Sequence, residues 1–246
     1  MLFRSEVYRR AAKLNGVRAI GVDMHIGSQI VELEPFRDAF SLLADFVGTL
    51  RADGHAISHI DIGGGLGIPH RDDNDLPPDP TAYAALAKRA THDLGCKLLL
   101  EPGRLIVGNA GILITRVLYV KRGDAKTFVV VDAGMNDLIR PTLYDAHHDI
   151  RPVRAKPGAA RIIADVVGPV CESGDFFALD RSIVAPQAGD LFALMTAGAY
   201  GATQAGTYNS RPLVPEVLVR QAEWALIRPR QTLEELIALD RLPPWL

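Results

Sequence analysis

The spacing of apolar residues changes period part-way along the chain, and this change limits the fold more than any other feature. Phe36, Phe40, Leu43, Val47 and Leu50 fall at spacings of 4, 3, 4 and 3, one face of a helix over 35–50. Pro35 suits its first turn. Residues 4–14 suit a helix ended by Asn15-Gly16, and Tyr83, Leu86, Ala87, Ala90 and Leu94 form a third apolar face closed by Gly95. Between these lie "RAIGVDMHI" (18–26), "AISHIDI" (56–62) and "CKLLLE" (96–101), which read as strands, the last too apolar to be half exposed. Buried strands alternating with amphipathic helices imply a parallel sheet with helices outside. Past residue 110 the segments "GILITRVLYVKR", "KTFVVVDAG", "ARIIADVVGP", "GDLFALMTAG" and "PEVLVRQAEWALI" read as strands separated by turn residues. No long helix intervenes before "TLEELIAL" at 232–239. The expected fold is α/β over 1–107, then a mostly antiparallel β-sandwich or barrel over 108–246.

Composition removes several functional classes. A net charge of −2 gives no basic surface for nucleic acid. The apolar runs are too short for a membrane span, and the charged N-terminus lacks the apolar core of a signal peptide. Cys96 and Cys171 are too few for a disulfide framework and read as reduced thiols of a cytoplasmic protein. The stretch 71–80 reads as a polar loop.

Each α/β strand runs into a glycine-bearing polar motif. The first ends in "HIGSQ" (His25, Gly27, Ser28, Gln29), the second in "GGGLG" (Gly63, Gly64, Gly65, Gly67), the third in "EPGR" (Glu101, Pro102, Gly103, Arg104). The carboxyl ends of parallel strands carry the active site in such folds. Backbone N–H groups of a glycine run can converge on an anion, and Ser28 and Arg104 could bond the same phosphate. A buried Glu101 could pair with a ring nitrogen, and His25 could stack on a planar ring. The bland readings stand beside these: a tight strand-to-helix turn, a structural histidine, a turn with an ion pair. Two further stretches are dense in polar residues without a period, "DAGMNDLIRPTLYDAHHDI" (132–150) and "GPVCESGD" (168–175). Within them Asp132 and Asn136 read as loop-shaping, and His147 and His148 as exposed or structural. Cys96 reads as a core thiol, Trp224 and Trp245 as packing residues.

These motifs, in this order and with "GAYGATQAGTYNSRPLVPEVLV" after them, resemble the diaminopimelate decarboxylase family. Its members are pyridoxal-phosphate-dependent enzymes of the alanine-racemase-like, fold-type III group. The resemblance runs from about residue 16 to the end. It implies the last three βα units of a (β/α)8 barrel that binds pyridoxal 5'-phosphate, then a C-terminal β domain with substrate and dimer contacts. His25 would stack on the cofactor ring. Ser28, Gly63, Gly64, Gly65, Gly103 and Arg104, with Pro102 in the same turn, would hold its phosphate, and Glu101 would bond the pyridine nitrogen. Arg104 and Arg140 would clamp the distal carboxylate of the substrate, with Tyr144 assisting. Cys171 and Glu172 would come from the neighbouring subunit of a homodimer with shared active sites, Cys171 as proton donor and Glu172 facing the distal ammonium. Tyr200 would reach the phosphate or the substrate.

The chain departs from the family pattern in one respect. Family members carry the lysine that forms the Schiff base in earlier βα units. None of Lys13, Lys88, Lys97, Lys121, Lys126 and Lys156 ends a strand in a comparable segment. The expectation is a partial chain, inactive alone, of an enzyme that converts meso-2,6-diaminopimelate to L-lysine. The alternatives are a relative acting on ornithine, arginine or a carboxylated polyamine precursor, and a non-catalytic chain that binds a complete subunit.

Overall fold

The computed structural model describes residues 2–71, 76–155 and 157–246. Most of the acidic part of the 71–80 loop and Lys156 therefore lie outside the described residues. The chain forms two compact units, Met1–Val107 and Gly108–Leu246. Among the described residues no helix is long and apolar enough to cross a membrane.

The first unit repeats helix and strand: α1 (Leu2–Ala11), β1 (Gly21–Asp23), α2 (Glu34–Ala52), β2 (His59–Asp61), α3 (Pro80–Thr91), β3 (Lys97–Leu99) and α4 (Gly103–Val107). The strands form one parallel sheet in sequence order, with Val22 opposite Ile60 and Ile60 opposite Leu98. α2 runs where its apolar spacing places it, and Phe36, Phe40, Leu43, Val47 and Leu50 are all buried. α3 starts at Asp79, whose carboxylate accepts from Thr81 N–H at 3.1 Å, an ordinary N-cap. A 3-10 turn carries it to Gly95, whose φ of +58° stops the helix. Tyr83 meets Phe36 edge to face with ring centroids 5.0 Å apart, joining α3 to α2 over the sheet.

One strand departs from expectation. The 96–101 segment is not buried: Leu99 is 39% and Leu100 44% exposed. β3 pairs with β2 on one side only, so apolar content there marks an edge of the described sheet and not its middle.

The second unit contains β4 (Leu113–Arg122), β5 (Thr127–Val131), α5 (Arg140–Tyr144), β6 (Ile150–Pro152), β7 (Arg161–Val167), β8 (Phe176–Val184), β9 (Leu191–Leu194), β10 (Glu216–Arg220), β11 (Glu223–Arg228) and α6 (Leu233–Ile237). Six strands form one sheet in the order β6-β9-β4-β5-β7-β8, antiparallel except for β5 against β7. β4 changes partner along its length: Leu113–Arg116 pair with β9, and Val117 onward with β5. Its core holds Val117, Val129, Val131, Val166, Phe177, Ile183, Phe192 and Leu194.

Two expectations are corrected in this unit. The 215–227 segment is not one strand but the hairpin β10–β11, turned at Gln221 in the left-handed region (φ +55°). Trp224 and Trp245 are 72% and 82% exposed, not packed; Trp224 lies on that two-stranded hairpin, where every residue of β11 is exposed.

Phe177→Ala should lower stability by about 3–5 kcal/mol, the scale for emptying a buried aromatic site. Trp224→Ala should cost less than about 1 kcal/mol, as a cross-strand contact without burial. Urea unfolding of both variants checks the contrast.

Candidate functional site

In the first unit the three motifs meet at the carboxyl ends of β1, β2 and β3. They are bound backbone to backbone. Ile30 N–H donates to Gly65 O at 2.9 Å, Gly67 N–H to Ile30 O at 3.0 Å, and Glu101 N–H to Gly63 O at 2.8 Å. The Gln29 amide clamps the same pair of loops, donating to Ile68 O at 2.6 Å and accepting from Ile68 N–H at 3.3 Å.

This close approach explains the glycines. A Cβ on Gly63 would sit 2.4 Å from Met24 O, on Gly64 2.2 Å from Glu101 O, and on Gly65 2.3 Å from Gly27 O. Gly63 and Gly65 also need positive φ, +67° and +95°. The Gly63 N–H itself donates to Asp61 Oδ1 at 2.9 Å.

The polar side chains sit above this frame. Arg104, on α4, donates to Ser28 Oγ at 3.1 Å, so a guanidinium and a hydroxyl from two motifs stand side by side. His25 and Ser28 are exposed. Glu101 is exposed too, where the sequence suggested burial: it follows β3, an edge of the described sheet. Carboxylate oxygens of Asp23, Asp61 and Glu101 lie within 4.8 Å of one another, a negative cluster drawn from the ends of all three strands.

In the second unit the stretches 132–150 and 168–175 are joined by one carboxylate. Asp175 is buried; its Oδ1 accepts from Met135 N–H at 2.6 Å and its Oδ2 from Val170 N–H at 2.5 Å. Asp137, also buried, accepts from Gly134 N–H at 2.8 Å, and Arg211 holds the same turn through Asn136 Oδ1 at 2.9 Å and Asp132 O at 2.7 Å. Asp132 closes the start of the stretch by accepting from Thr115 Oγ1 and Arg116 N–H, both at 2.7 Å.

Arg140 and Tyr144 are the two ends of α5 with opposite exposures, 6% and 60%. Arg140 Nη1 lies 3.0 Å from His148 Nε2, and His148 is fully buried with Nδ1 2.8 Å from Met195 O. Sequence reasoning gave His148 no role, because its partner is brought to it by the turn after α5 and not by any spacing. Cys171 and Glu172 are exposed at the outer end of their loop. Glu172 Oε1 accepts from Gly174 N–H at 3.2 Å, and Tyr208 O–H approaches Oε2 at 3.5 Å. Gln204 donates to Tyr144 Oη at 3.4 Å. Tyr200 is held in the left-handed region (φ +61°), a strained backbone of the kind found at functional loops. Cys96 is half-buried; Arg51 Nη2 donates to its Sγ at 3.1 Å.

Comparisons place these motifs among known proteins. Residues 7–198 match the family model described as "Pyridoxal-dependent decarboxylase, C-terminal sheet domain". A diaminopimelate decarboxylase of Zymomonas mobilis is 48% identical over 97% of this chain and 56% of its own length. A crystal structure from Aquifex aeolicus is 44% identical with a TM-score of 0.92, covering 97% of this chain and 59% of its own. The Helicobacter pylori diaminopimelate decarboxylase complexed with L-lysine is 38% identical with a TM-score of 0.88, covering 96% of this chain and 58% of its own. The chain thus spans a little over half the length of the curated relatives it matches, their C-terminal portion.

Burial holds the Asp175 carboxyl above its ordinary value of 3.8, against the pull of the Val170 and Met135 N–H groups and the Arg211 charge. The folded chain therefore keeps this proton to higher pH than the unfolded chain. From 3.8 upward to the folded value the unfolded chain ionises first, and stability falls as pH rises. Asp175→Asn should reduce that slope, leaving the part that Asp137, also raised by burial, contributes with the same sign. It should also cost about 1–3 kcal/mol, because its NH2 cannot accept from the second backbone N–H. Urea midpoints from pH 4 upward test both; a variant with an unchanged slope would assign the slope to another group.

Proposed function

The chain belongs to the pyridoxal-dependent decarboxylases, and on that premise we propose that the protein removes CO2 from meso-2,6-diaminopimelate to give L-lysine, a step of lysine biosynthesis. The observation that carries this choice of substrate is Arg140, a buried guanidinium bonded to a buried histidine, in a unit that also presents an exposed Glu172. A planar, permanently charged donor suits a carboxylate, and Glu172 suits an ammonium group. The distal end of diaminopimelate has both, whereas an amine-only distal end would call for acidic residues alone. The names of relatives support the same choice: the Zymomonas mobilis protein and one of Vibrio cholerae, 46% identical, are diaminopimelate decarboxylases. The lysine/ornithine and arginine decarboxylase structures are 24% and 19% identical and share the fold alone.

The donor set of the first unit fits pyridoxal phosphate. Ser28 and Arg104, already within 3.1 Å of each other, would hold the phosphate, with Gly63, Gly64, Gly65 and the Pro102-Gly103 turn against it. Glu101 would accept from the ring N–H and keep its proton in place, helped by the negative Asp23 and Asp61 beside it. His25, exposed at the end of its motif, would lie against the ring. When bound, the cofactor supplies an electron sink for the bond that loses CO2. Arg140, assisted by Tyr144, would orient the substrate by its distal carboxylate, and Glu172 would take the distal ammonium. The Cys171 thiol would deliver the proton to the carbon that CO2 leaves. Tyr200 would bond the phosphate or the substrate. We further assign Cys171 and Glu172 to the active site of the partner in a cytoplasmic homodimer, in which the second unit, 108–246, makes the dimer contacts.

The test is CO2 release by the complete product of the gene with pyridoxal phosphate, comparing meso-diaminopimelate with ornithine and arginine. Equal turnover of ornithine would overturn the substrate assignment. Arg140→Ala, folded by its melting curve, should lower kcat/KM for diaminopimelate by about 2–4 kcal/mol; a loss below about threefold counts against the clamp. For the shared site, Cys171→Ala and Glu101→Ala, each inactive, should regain activity when mixed, through hybrid dimers with one intact site. No recovery after confirmed subunit exchange would mean that each site is built from one chain.

A further inference from the structure

We propose that His148 is the positioning residue for Arg140: locked as the neutral Nδ1–H tautomer, it fixes the guanidinium in the orientation that receives the carboxylate of the substrate. The inference rests on the assignment of Arg140 as carboxylate clamp and adds the group that aims it.

The tautomer follows from the partners. An arginine guanidinium has only donors and does not lose its proton. The atom that faces Arg140 Nη1 at 3.0 Å, His148 Nε2, must therefore accept, and so carries no hydrogen. On the other side of the ring stands the Met195 carbonyl oxygen, which can only accept, at 2.8 Å from Nδ1. Nδ1 must donate. Both bonds can be made by the neutral Nδ1–H form alone; an imidazolium would set N–H against N–H at Arg140.

The ring cannot readily turn away from this arrangement. His148 is 0% exposed. Its backbone carbonyl accepts from Arg181 Nη1 at 3.2 Å, and two residues on, Ile150 enters the pairing of β6 with β9 opposite Leu194. Met195, the carbonyl partner, is itself fastened by its N–H to Asp149 O at 2.8 Å. The sheet thus fixes both the ring and its acceptor, and the ring fixes Arg140. The adjacent His147 is engaged elsewhere, with Asp149 Oδ1 at 2.9 Å and Arg181 Nη1 at 3.3 Å. The charged groups around the ring therefore include Arg140 and Arg181, with Asp149 held by His147 and Arg151.

A bond from a cation to a neutral acceptor orients the guanidinium without cancelling its charge. A carboxylate in that place would orient it equally well but would spend the charge meant for the substrate. This is the chemical reason to expect histidine here and not aspartate or glutamate.

Two substitutions separate positioning from simple packing. In His148→Gln the amide oxygen reaches the place of Nε2 and can accept from Arg140. In His148→Asn the side chain keeps an N–H for Met195 O but ends short of Arg140. Ligands are titrated calorimetrically into the enzyme loaded with pyridoxal phosphate. L-lysine retains the carboxylate that Arg140 would hold, and 1,5-diaminopentane has none. We expect His148→Asn to weaken L-lysine at least about tenfold and to raise KM for diaminopimelate in step, with kcat within about threefold. Diaminopentane affinity should not change, and His148→Gln should stay within about threefold of the parent for L-lysine. If His148→Asn does not fold, His148→Phe, of similar size and without an acceptor, carries the same expectation. Equal weakening of L-lysine and diaminopentane would make His148 a packing residue only and overturn the proposal. So would unchanged L-lysine binding in His148→Asn while Arg140→Ala loses it, with the clamp itself intact. Unchanged L-lysine binding in Arg140→Ala would instead remove the clamp on which the proposal stands.

Discussion

The second unit depends on one buried carboxylate, that of Asp175. Asp175 takes one backbone N–H from each of two loops, Met135 from one and Val170 from the other. It thereby makes a single piece of segments that lie 40 residues apart. Without those bonds the polar stretches 132–150 and 168–175 would have to be ordered by side chains that are themselves wanted for other work. Burying the charge is unfavourable, and the two short charge-assisted bonds offset that cost. Gly168 completes the arrangement, because a Cβ there would meet the carboxylate at 2.4 Å. Asp137 repeats the device on a smaller scale inside the first of the two loops. Tyr144, Cys171 and Glu172 then stand exposed on loops that Asp175 ties together.

The two units solve the same problem by different means. In the first, the motifs are held by backbone bonds between glycines and their neighbours, and side chains are left over for chemistry. In the second, buried acids and arginines hold the loops. The first design needs residues with nothing on Cα; the second needs charges that are completely paired.

Much of this was legible in the sequence, for identifiable reasons. The apolar stripe of α2 has one period and one face, so its five core residues could be named outright. The glycine motifs could be placed at strand ends because each follows a short apolar run. What could not be read depended on partners distant in sequence. Leu99 and Leu100 looked buried because apolarity reports what a strand could cover, not whether a neighbour lies beside it. β8 escaped because its alternation is interrupted at Asp180, a non-glycine residue with φ +45° whose N–H bonds Asp165. The turn of the β10–β11 hairpin is Gln221, which carries none of the usual glycine or asparagine signal. His148 escaped for a related reason: a histidine next to another histidine in a polar run says nothing until β6 and β9 pair and bring Met195 O to one side of it. The steric demand on the glycine triplet was likewise illegible, because the loops that crowd it come from the other two motifs.

The backbone contact at Gly63, Gly64 and Gly65 has a consequence for how such a gene can vary. Every other amino acid carries a β-carbon, so at these codons each missense change, whatever its chemistry, introduces the same atom into the same occupied space. The positions do not discriminate between polar and apolar, large and small; they distinguish only glycine from everything else. Drift at the surface of this protein can therefore be gradual, while at these three codons it is all or none, and a lineage has no intermediate step by which to leave them.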